Sequence, residues 1–120
     1  KIAKRGNIIN IASIFGVVSK AKRAAYSASK WGLVGLTKAI ALDLAKYNIM
    51  VNAISPGFVD TELTRKILSD KEIKELTEMV PLKRFATPSE IAKVVLFLSS
   101  DYNKYISGQN IIIDGGYTSV

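Results

Sequence analysis

Ile-Met-Val-Asn-Ala-Ile-Ser-Pro-Gly, residues 49 to 57, is a short apolar run that ends in a Pro-Gly turn signal. Such a run predicts a buried β-strand over residues 49 to 55. Residues 7 to 12, Asn-Ile-Ile-Asn-Ile-Ala, predict an earlier strand of the same kind, and residues 110 to 113 predict a later one that Asp-Gly-Gly closes. The chain therefore has three candidate strands that are far apart in sequence.

Helical patterns fill the intervals between these strands. Residues 24 to 46 carry apolar side chains at helical spacing, and Gly32 and Gly35 within them suggest close backbone packing against a neighbour. Ser-Asp-Lys-Glu at 69 to 72 and Thr-Pro-Ser-Glu at 87 to 90 match capping boxes, which predict helices over 70 to 79 and 88 to 99. Alternating strands and helices indicate an α/β domain with a parallel sheet, right-handed crossovers and helices on both faces.

Two segments outside this alternation have weaker signals. Residues 1 to 6, Lys-Ile-Ala-Lys-Arg-Gly, are typical of the last turn of a helix, with Gly6 just beyond the C-cap. Residues 59 to 84 are mostly polar, and their helical pattern is what a mobile lid would show. We treat all 120 residues as a single partial domain.

The composition excludes several classes of chemistry. The chain has no Cys and no His, so thiol nucleophiles, disulfides, zinc sites with Cys or His ligands and Ser-His triads are excluded, and we expect no metal site. Its apolar runs are far shorter than the ~20 residues that span a bilayer, and no signal-peptide pattern is present. We therefore expect a soluble, cytoplasmic protein that does not bind membranes.

The formal charge of +7 is unevenly distributed. Residues 1 to 42 hold eight Lys or Arg and no acidic residue, whereas residues 43 to 120 hold nine basic and ten acidic residues. No stacking aromatic residues or recognisable nucleic-acid module accompany this local excess, so we expect a solvated face or a surface that meets an acidic segment, and no nucleic-acid binding.

Three polar residues could carry proton chemistry. Tyr26 and Lys30 are four positions apart, so both side chains lie on one face of the predicted helix. A neighbouring ammonium favours the phenolate form of a tyrosine, which makes a phenol a better acid-base catalyst. Ser13 follows the first strand, at the sheet edge where open α/β sheets bind ligands, and its hydroxyl could donate to a carbonyl oxygen or simply turn the loop.

The order and spacing of the motifs resemble those of the short-chain dehydrogenase/reductase family. The similar segments are residues 6 to 13, Tyr-x-x-x-Lys at 26 to 30, Asn-x-x-x-Pro-Gly-x-Val-x-Thr at 52 to 61, and Ser-Gly-Gln to Asp-Gly-Gly at 107 to 116. Residues 80 to 90 look like the branch that contains 3-oxoacyl-carrier-protein reductases and sugar dehydrogenases. This resemblance implies a Rossmann-like doubly wound parallel sheet, represented here by its C-terminal part.

The resemblance also implies an activity and its residues. The protein would move a hydride between NAD or NADP and a small-molecule carbonyl or secondary alcohol. Tyr26 would be the general acid/base, Ser13 would hold the carbonyl oxygen, and Lys30 would favour the phenolate and bind the nicotinamide ribose. By the same resemblance, the nicotinamide and diphosphate side would be lined by Pro56, Gly57, Val59 and Thr61. Thr61 could equally be an N-cap for a turn that starts near Glu62.

The family's glycine-rich half has no counterpart in these 120 residues, so we expect this chain alone to have little or no turnover. The strand at 7 to 12 would then be an unpaired apolar edge that aggregates or finds a partner. By resemblance, the helix over 24 to 46 would pack against its copy in a homodimer or homotetramer, and Gly32, Gly35 and Ala39 would permit the close approach. The alternative is a non-catalytic fragment or pseudoenzyme subunit that acts as a binding or scaffold module.

Overall fold

A parallel three-stranded sheet forms the centre of the molecule in the computed structural model, which describes residues 5 to 119. The strands are β1 (Gly6–Ile11), β2 (Ile49–Pro56) and β3 (Asn110–Ile113), in the spatial order β1-β2-β3. Both pairings are parallel, with Ile8 beside Val51 and Ile54 beside Ile111. The predicted α/β class, the strand positions and the parallel sheet are confirmed.

The helices flank this sheet. They are α1 (Ala24–Leu44), α2 (Glu62–Ile67), α3 (Asp70–Met79) and α4 (Pro88–Ser99), with short 3-10 turns at Ile14–Gly16, Ala45–Tyr47 and Tyr117–Ser119. Helix α1 packs on β2, and α4 packs on β1. Within the described part of the chain, no helix is both long and apolar enough to cross a membrane.

Local signals locate most of the helix ends. The capping boxes at Ser69 and Thr87 are both formed, as the sequence predicts. The long helix ends two residues earlier than predicted, because residues 45 to 47 tighten into a 3-10 turn and Asn48 takes the left-handed conformation at φ 59°. The prediction of a helix end over residues 1 to 4 lies outside the described residues, and Gly6 is the first residue of β1.

Strand β1 forms one edge of the sheet. Within residues 5 to 119 its only strand partner is β2, and its Ile8 and Ile11 side chains are 39% and 51% exposed. This is the apolar edge that the sequence predicts. An unpaired parallel edge of this kind offers its free backbone groups to another strand.

Helix α1 has two different faces. Ser27, Thr37 and Ala41 are buried, whereas Trp31 and Leu42 are exposed. A Cβ added at Gly32 or Gly35 would have no atom within 4 Å. Within residues 5 to 119 nothing packs closely against these exposed glycines, so their close packing against a neighbour stays a prediction for a second copy of the chain.

Buried side-chain amides fix the loops at the strand ends. Asn52 is fully buried, donates to the Ile106 carbonyl at 2.8 Å and accepts from the Gln109 N–H at 3.0 Å, so it satisfies buried loop backbone. Asn10 instead donates to the Thr37 hydroxyl at 2.9 Å, which ties β1 to α1. Both amides therefore join separate segments of the chain.

Candidate active site

A cavity of about 420 Å³ lies beside the carboxyl ends of β1 and β2. The chain reaches it at Ser13, just after β1, and at Gly57, just after β2. This is the edge at which open parallel sheets bind ligands. Besides these two, the lining residues are Ile14, Phe15, Arg23, Tyr26, Phe58, Val59, Leu63, Thr64, Ile67 and Leu68.

Ser13 is held in place by the turn that it begins. It is the N-cap of the Ile14–Gly16 turn, and its Oγ accepts a hydrogen bond from the Phe15 N–H at 3.2 Å. Its side chain is largely buried, at 9% exposure. Across the described residues, the Ser13 hydroxyl has no acceptor for its own proton, so that proton is available to a ligand in the cavity.

Tyr26 stands in the first turn of α1, at the mouth of the same cavity. Its ring is 45% exposed and packs edge-on against Phe15, with centroids 6.0 Å apart. The Lys30 ammonium lies 5.5 Å from the Tyr26 ring centroid and donates to the Ile11 carbonyl at 3.4 Å. Lys30 is therefore held between the end of β1 and the ring, behind the cavity wall rather than in it.

The loop after β2 is tightly anchored. A Cβ on Gly57 would lie 2.9 Å from the Asp114 Cβ, so only glycine fits there without displacement. The Phe58 ring stacks on Phe85 at 5.4 Å and meets Tyr117 edge-on at 5.1 Å. These contacts hold Gly57 and Val59 in the cavity wall.

Asp114 is fixed in turn by its own acceptor bonds. Its carboxylate accepts from the Thr118 hydroxyl at 2.7 Å, the Thr118 N–H at 2.8 Å and the Gly116 N–H at 2.9 Å. Burial by itself raises the pKa of Asp114, but the hydrogen bonds from Thr118 and Gly116 outweigh it and hold that pKa below its ordinary value. The side chain that confines Gly57 is therefore a well-anchored carboxylate.

A chain of hydroxyl groups connects the start of α2 to this loop. Thr64 Oγ1 donates to the Val59 carbonyl at 2.9 Å, which uses its only proton. Thr61 Oγ1 must therefore be the donor in its 2.9 Å contact with Thr64 Oγ1, while it also accepts from the Thr64 N–H at 3.1 Å. Thr61 is thus a complete N-cap for α2, the structural alternative that the sequence left open.

The structure brings four of the seven predicted site residues into one cavity wall: Ser13, Tyr26, Gly57 and Val59. The other three, Lys30, Pro56 and Thr61, lie next to it, with Pro56 ending β2 and pairing with Ile113. The apolar wall from α2, with Leu63 and Ile67 one turn apart, was not anticipated, although their four-residue spacing on a short helix is a recognisable signal. Residues 5 to 119 contain no cluster of acidic residues suited to a metal ion.

An open parallel sheet with a serine hydroxyl and a tyrosine facing one cavity at its carboxyl edge defines a Rossmann-like α/β protein with a ligand site. The family model described as enoyl-(acyl carrier protein) reductase matches residues 1 to 118. A 3-oxoacyl-(acyl-carrier-protein) reductase of Thermotoga maritima is 44% identical over 113 residues, which cover 94% of this chain and 46% of that protein. The trans-4-hydroxycyclohexanecarboxylate dehydrogenase of Sinomonas cyclohexanicum is 46% identical over 117 residues, covering 98% and 43%.

Solved structures agree with these relatives. A gluconate 5-dehydrogenase from Burkholderia cenocepacia, in complex with NADP and tartrate, superposes with a TM-score of 0.90 at 32% identity, over 98% of this chain and 46% of that one. A 4-hydroxyisoleucine dehydrogenase complexed with NADH gives a TM-score of 0.90 at 40% identity, over 96% and 48%. The chain belongs to the short-chain dehydrogenase/reductase family, and it spans about half the length of the curated relatives that it matches.

Proposed function

We propose that this chain supplies the catalytic half of an oxidoreductase that moves a hydride between NAD or NADP and a small-molecule carbonyl or secondary alcohol. The observation that carries the proposal is the Ser13 hydroxyl, whose proton has no acceptor in the described residues and which lines one cavity with Tyr26. Two hydroxyl donors at one cavity are suited to the oxygen of a carbonyl substrate. The named dehydrogenases and reductases among the relatives point to the same chemistry.

The proton would be transferred between Tyr26 and the substrate oxygen. During reduction Tyr26 gives its hydroxyl proton to that oxygen, and during oxidation the tyrosinate takes it back. Ser13 donates a hydrogen bond to the same oxygen and holds it in place, because the turn at Phe15 fixes the Ser13 side chain. The Lys30 ammonium lies 5.5 Å from the Tyr26 ring centroid, so it is close enough to contact a cofactor or substrate group that lies beside the tyrosine. The nicotinamide cofactor, when bound, donates or accepts the hydride.

The loop after β2 fits the nicotinamide end of that cofactor. Val59 lines the cavity, and its N–H has no acceptor in the described part of the chain, so this group can bind a carboxamide oxygen. The Val59 carbonyl is already used by Thr64. Gly57 and Pro56 bring the backbone to the cavity without a bulky side chain. Thr61 would have to give up its bond to Thr64 before donating to a phosphate.

Under this proposal, a glycine-rich half outside these residues binds the adenosine. That half also determines whether the cofactor is NAD or NADP. The chain covers 46% of the Thermotoga relative, so the complete enzyme would have roughly twice the 13.1 kDa of this chain. Intact mass of the protein isolated from its natural source tests this. A mass near 13.1 kDa would refute the two-half arrangement on a single chain.

Turnover is tested with the full-length protein and a panel of carbonyl compounds, following NADH or NADPH absorbance. We expect Tyr26→Phe to lower kcat by about 10²- to 10⁴-fold, the usual contribution of a general acid. Tyr47→Phe is the matched control, since Tyr47 is 58% exposed and outside the cavity wall. Equal losses in both variants would contradict the role of Tyr26. Cofactor binding without turnover in the wild type would instead favour a non-catalytic binding or scaffold module.

We also propose a homodimer or homotetramer that forms through α1. Trp31 and Leu42 are exposed on its outward side together with Gly32, Gly35 and Ala39, a combination of small and apolar residues that allows close helix approach. Gly35→Arg should lower the mass measured by light scattering to that of a smaller species. Met79→Arg places the same charge at an exposed apolar position on α3 and should leave the mass unchanged. An unchanged mass in Gly35→Arg would place the interface elsewhere.

We propose a cytoplasmic location as part of the same proposal, because an oxidoreductase of this kind needs a supply of NAD or NADP. Fractionation of the native cells tests this assignment. Recovery in the membrane pellet after a salt wash would contradict it.

A further inference from the structure

The cavity wall contains a single charged side chain among its lining residues, and it is Arg23. The rest of the wall is apolar apart from hydroxyl groups, and its larger apolar side chains include Phe58, Leu63 and Ile67. Arg23 is the N-cap residue of α1, three positions before Tyr26. Residues at this spacing are neighbours on one helical face, with Cβ atoms about 5 to 6 Å apart.

The charge of Arg23 is not neutralised within the described residues. The ion pairs found there are made by Arg5, Arg65, Lys83 and Arg84, each with a carboxylate. The nearby Lys20 and Lys22 are also cationic, and residues 1 to 42 contain no acidic residue at all. The mouth of the cavity is therefore a region of positive potential against apolar walls, an arrangement that attracts anions.

We propose that Arg23 binds an anionic group of the substrate, a carboxylate or a phosphate, whose carbonyl oxygen lies at Ser13 and Tyr26. The inference rests on the proposed function and adds the substrate class. The guanidinium can take such a group in a bidentate bond, while Leu63 and Ile67 contact the carbon chain that joins the two ends. Because Arg23 is one helical turn from Tyr26, the anion and the carbonyl are separated by a short chain.

The test compares matched substrates in the full-length protein. A short-chain oxo acid, its methyl ester and a keto compound with a phosphate in place of the carboxylate are each assayed with wild type, Arg23→Gln, Arg23→Lys and Lys22→Gln. The measured quantity is the ratio of kcat/KM for each anionic substrate to kcat/KM for the ester. We expect Arg23→Gln to lower this ratio by about 10- to 100-fold, the range for a hydrogen bond to a charged group.

The control variants distinguish a direct contact between Arg23 and the anion from a general electrostatic attraction by the basic residues nearby. Lys22→Gln removes the same charge one residue away but is outside the cavity wall, so the ratio should stay within about twofold of wild type. Arg23→Lys keeps the charge and should recover part of the ratio. The carboxylate and phosphate arms show which anion the site takes. A wild-type ratio near one, or an equal drop in Arg23→Gln and Lys22→Gln, would overturn the proposal.

A binding readout keeps the proposal testable if no substrate turns over. Hexanoate, hexyl phosphate and hexanol are titrated into the same proteins, with ligand-observed NMR as the signal. Tighter binding of either anion than of hexanol in wild type, lost in Arg23→Gln, would support the anion site even where the oxidoreductase proposal fails. Equal binding of all three probes, or no loss in Arg23→Gln, would refute the anion site whether or not the enzyme is active.

Discussion

Replacement of Gly57 by alanine should distort the cavity and destabilise the protein. The added Cβ would lie 2.9 Å from the Asp114 Cβ and 3.0 Å from its Cα, well inside normal contact distance. Asp114 cannot easily move, because its carboxylate accepts three hydrogen bonds from residues 116 to 118. Overpacking of this kind costs about 1 to 3 kcal/mol. The cost is steric alone, since Gly57 does not use a positive φ.

The assay is urea unfolding of the full-length protein, followed by fluorescence. The free energies of unfolding are compared with the same slope against urea concentration for each variant. Gly6→Ala is the control, because its added Cβ would lie 3.7 Å from Ile49 Cγ1, an ordinary contact. We expect Gly57→Ala to lose about 1 to 3 kcal/mol and also to lose turnover, since Val59 lies two residues away in the cavity wall. A variant as stable and as active as the control would refute the argument from close contact.

Three further predictions concern other parts of the fold. The Arg84 side chain and the Thr87 N–H lower the pKa of Glu90 from 4.5 to about 2, so this pair contributes stability that is full above pH 4.5 and is lost as the pH falls towards 2. Acid titration of the unfolding midpoint in wild type and Glu90→Gln measures it, and the variant should have the flatter profile in that window. Thr61→Ala should cost about 0.5 to 2 kcal/mol in urea unfolding as α2 loses its cap, whereas Thr61→Ser should retain most of the stability. Thr37→Val should cost about 1 to 3 kcal/mol, because it leaves the Asn10 amide without its acceptor, and Asn10→Val in the same protein should recover part of the loss.

Each of these has a clear contradicting result. Identical acid profiles would mean that the Glu90 ion pair has no share in stability. Equal losses for Thr61→Ala and Thr61→Ser would point to the methyl group rather than the hydroxyl. Additive losses for Thr37→Val and Asn10→Val would show that the two side chains are not coupled.

The strands and most helix ends could be predicted because their signals are local. These signals are apolar runs, the Pro-Gly turn after β2 and the capping boxes at Ser69 and Thr87. Each acts over a few residues, so it can be recognised in the sequence. The position of Tyr26 and Lys30 on one face of α1 follows equally from helical spacing. Helical spacing does not predict the hydrogen bond from the Lys30 ammonium to the Ile11 carbonyl, because Ile11 belongs to β1 and not to the helix.

The walls of the cavity depend on contacts between distant segments. Phe58 is placed by Phe85 and Tyr117, and Gly57 by Asp114, none of which is near in sequence. The separation of α2 from α3 comes from the extended backbone of Leu68, a residue with no breaking propensity of its own. The glycines of α1 illustrate a related limit of sequence signals, since they indicate close packing without saying whether the neighbour belongs to the same chain or to a second copy.

The burial of residues 51 to 55 in β2 has a consequence for how the protein unfolds and folds. Residues 51 to 55 are fully buried, and β2 is the strand that pairs on both sides within residues 5 to 119. Its amide hydrogens should therefore exchange with solvent more slowly than those of α2 and α3, which have no fully buried residue. Both of its pairings join segments about forty or more residues apart, so long loops must close before any ladder bond forms. Folding should accordingly be slow, and β2 should be the last element to lose its protection when the protein unfolds.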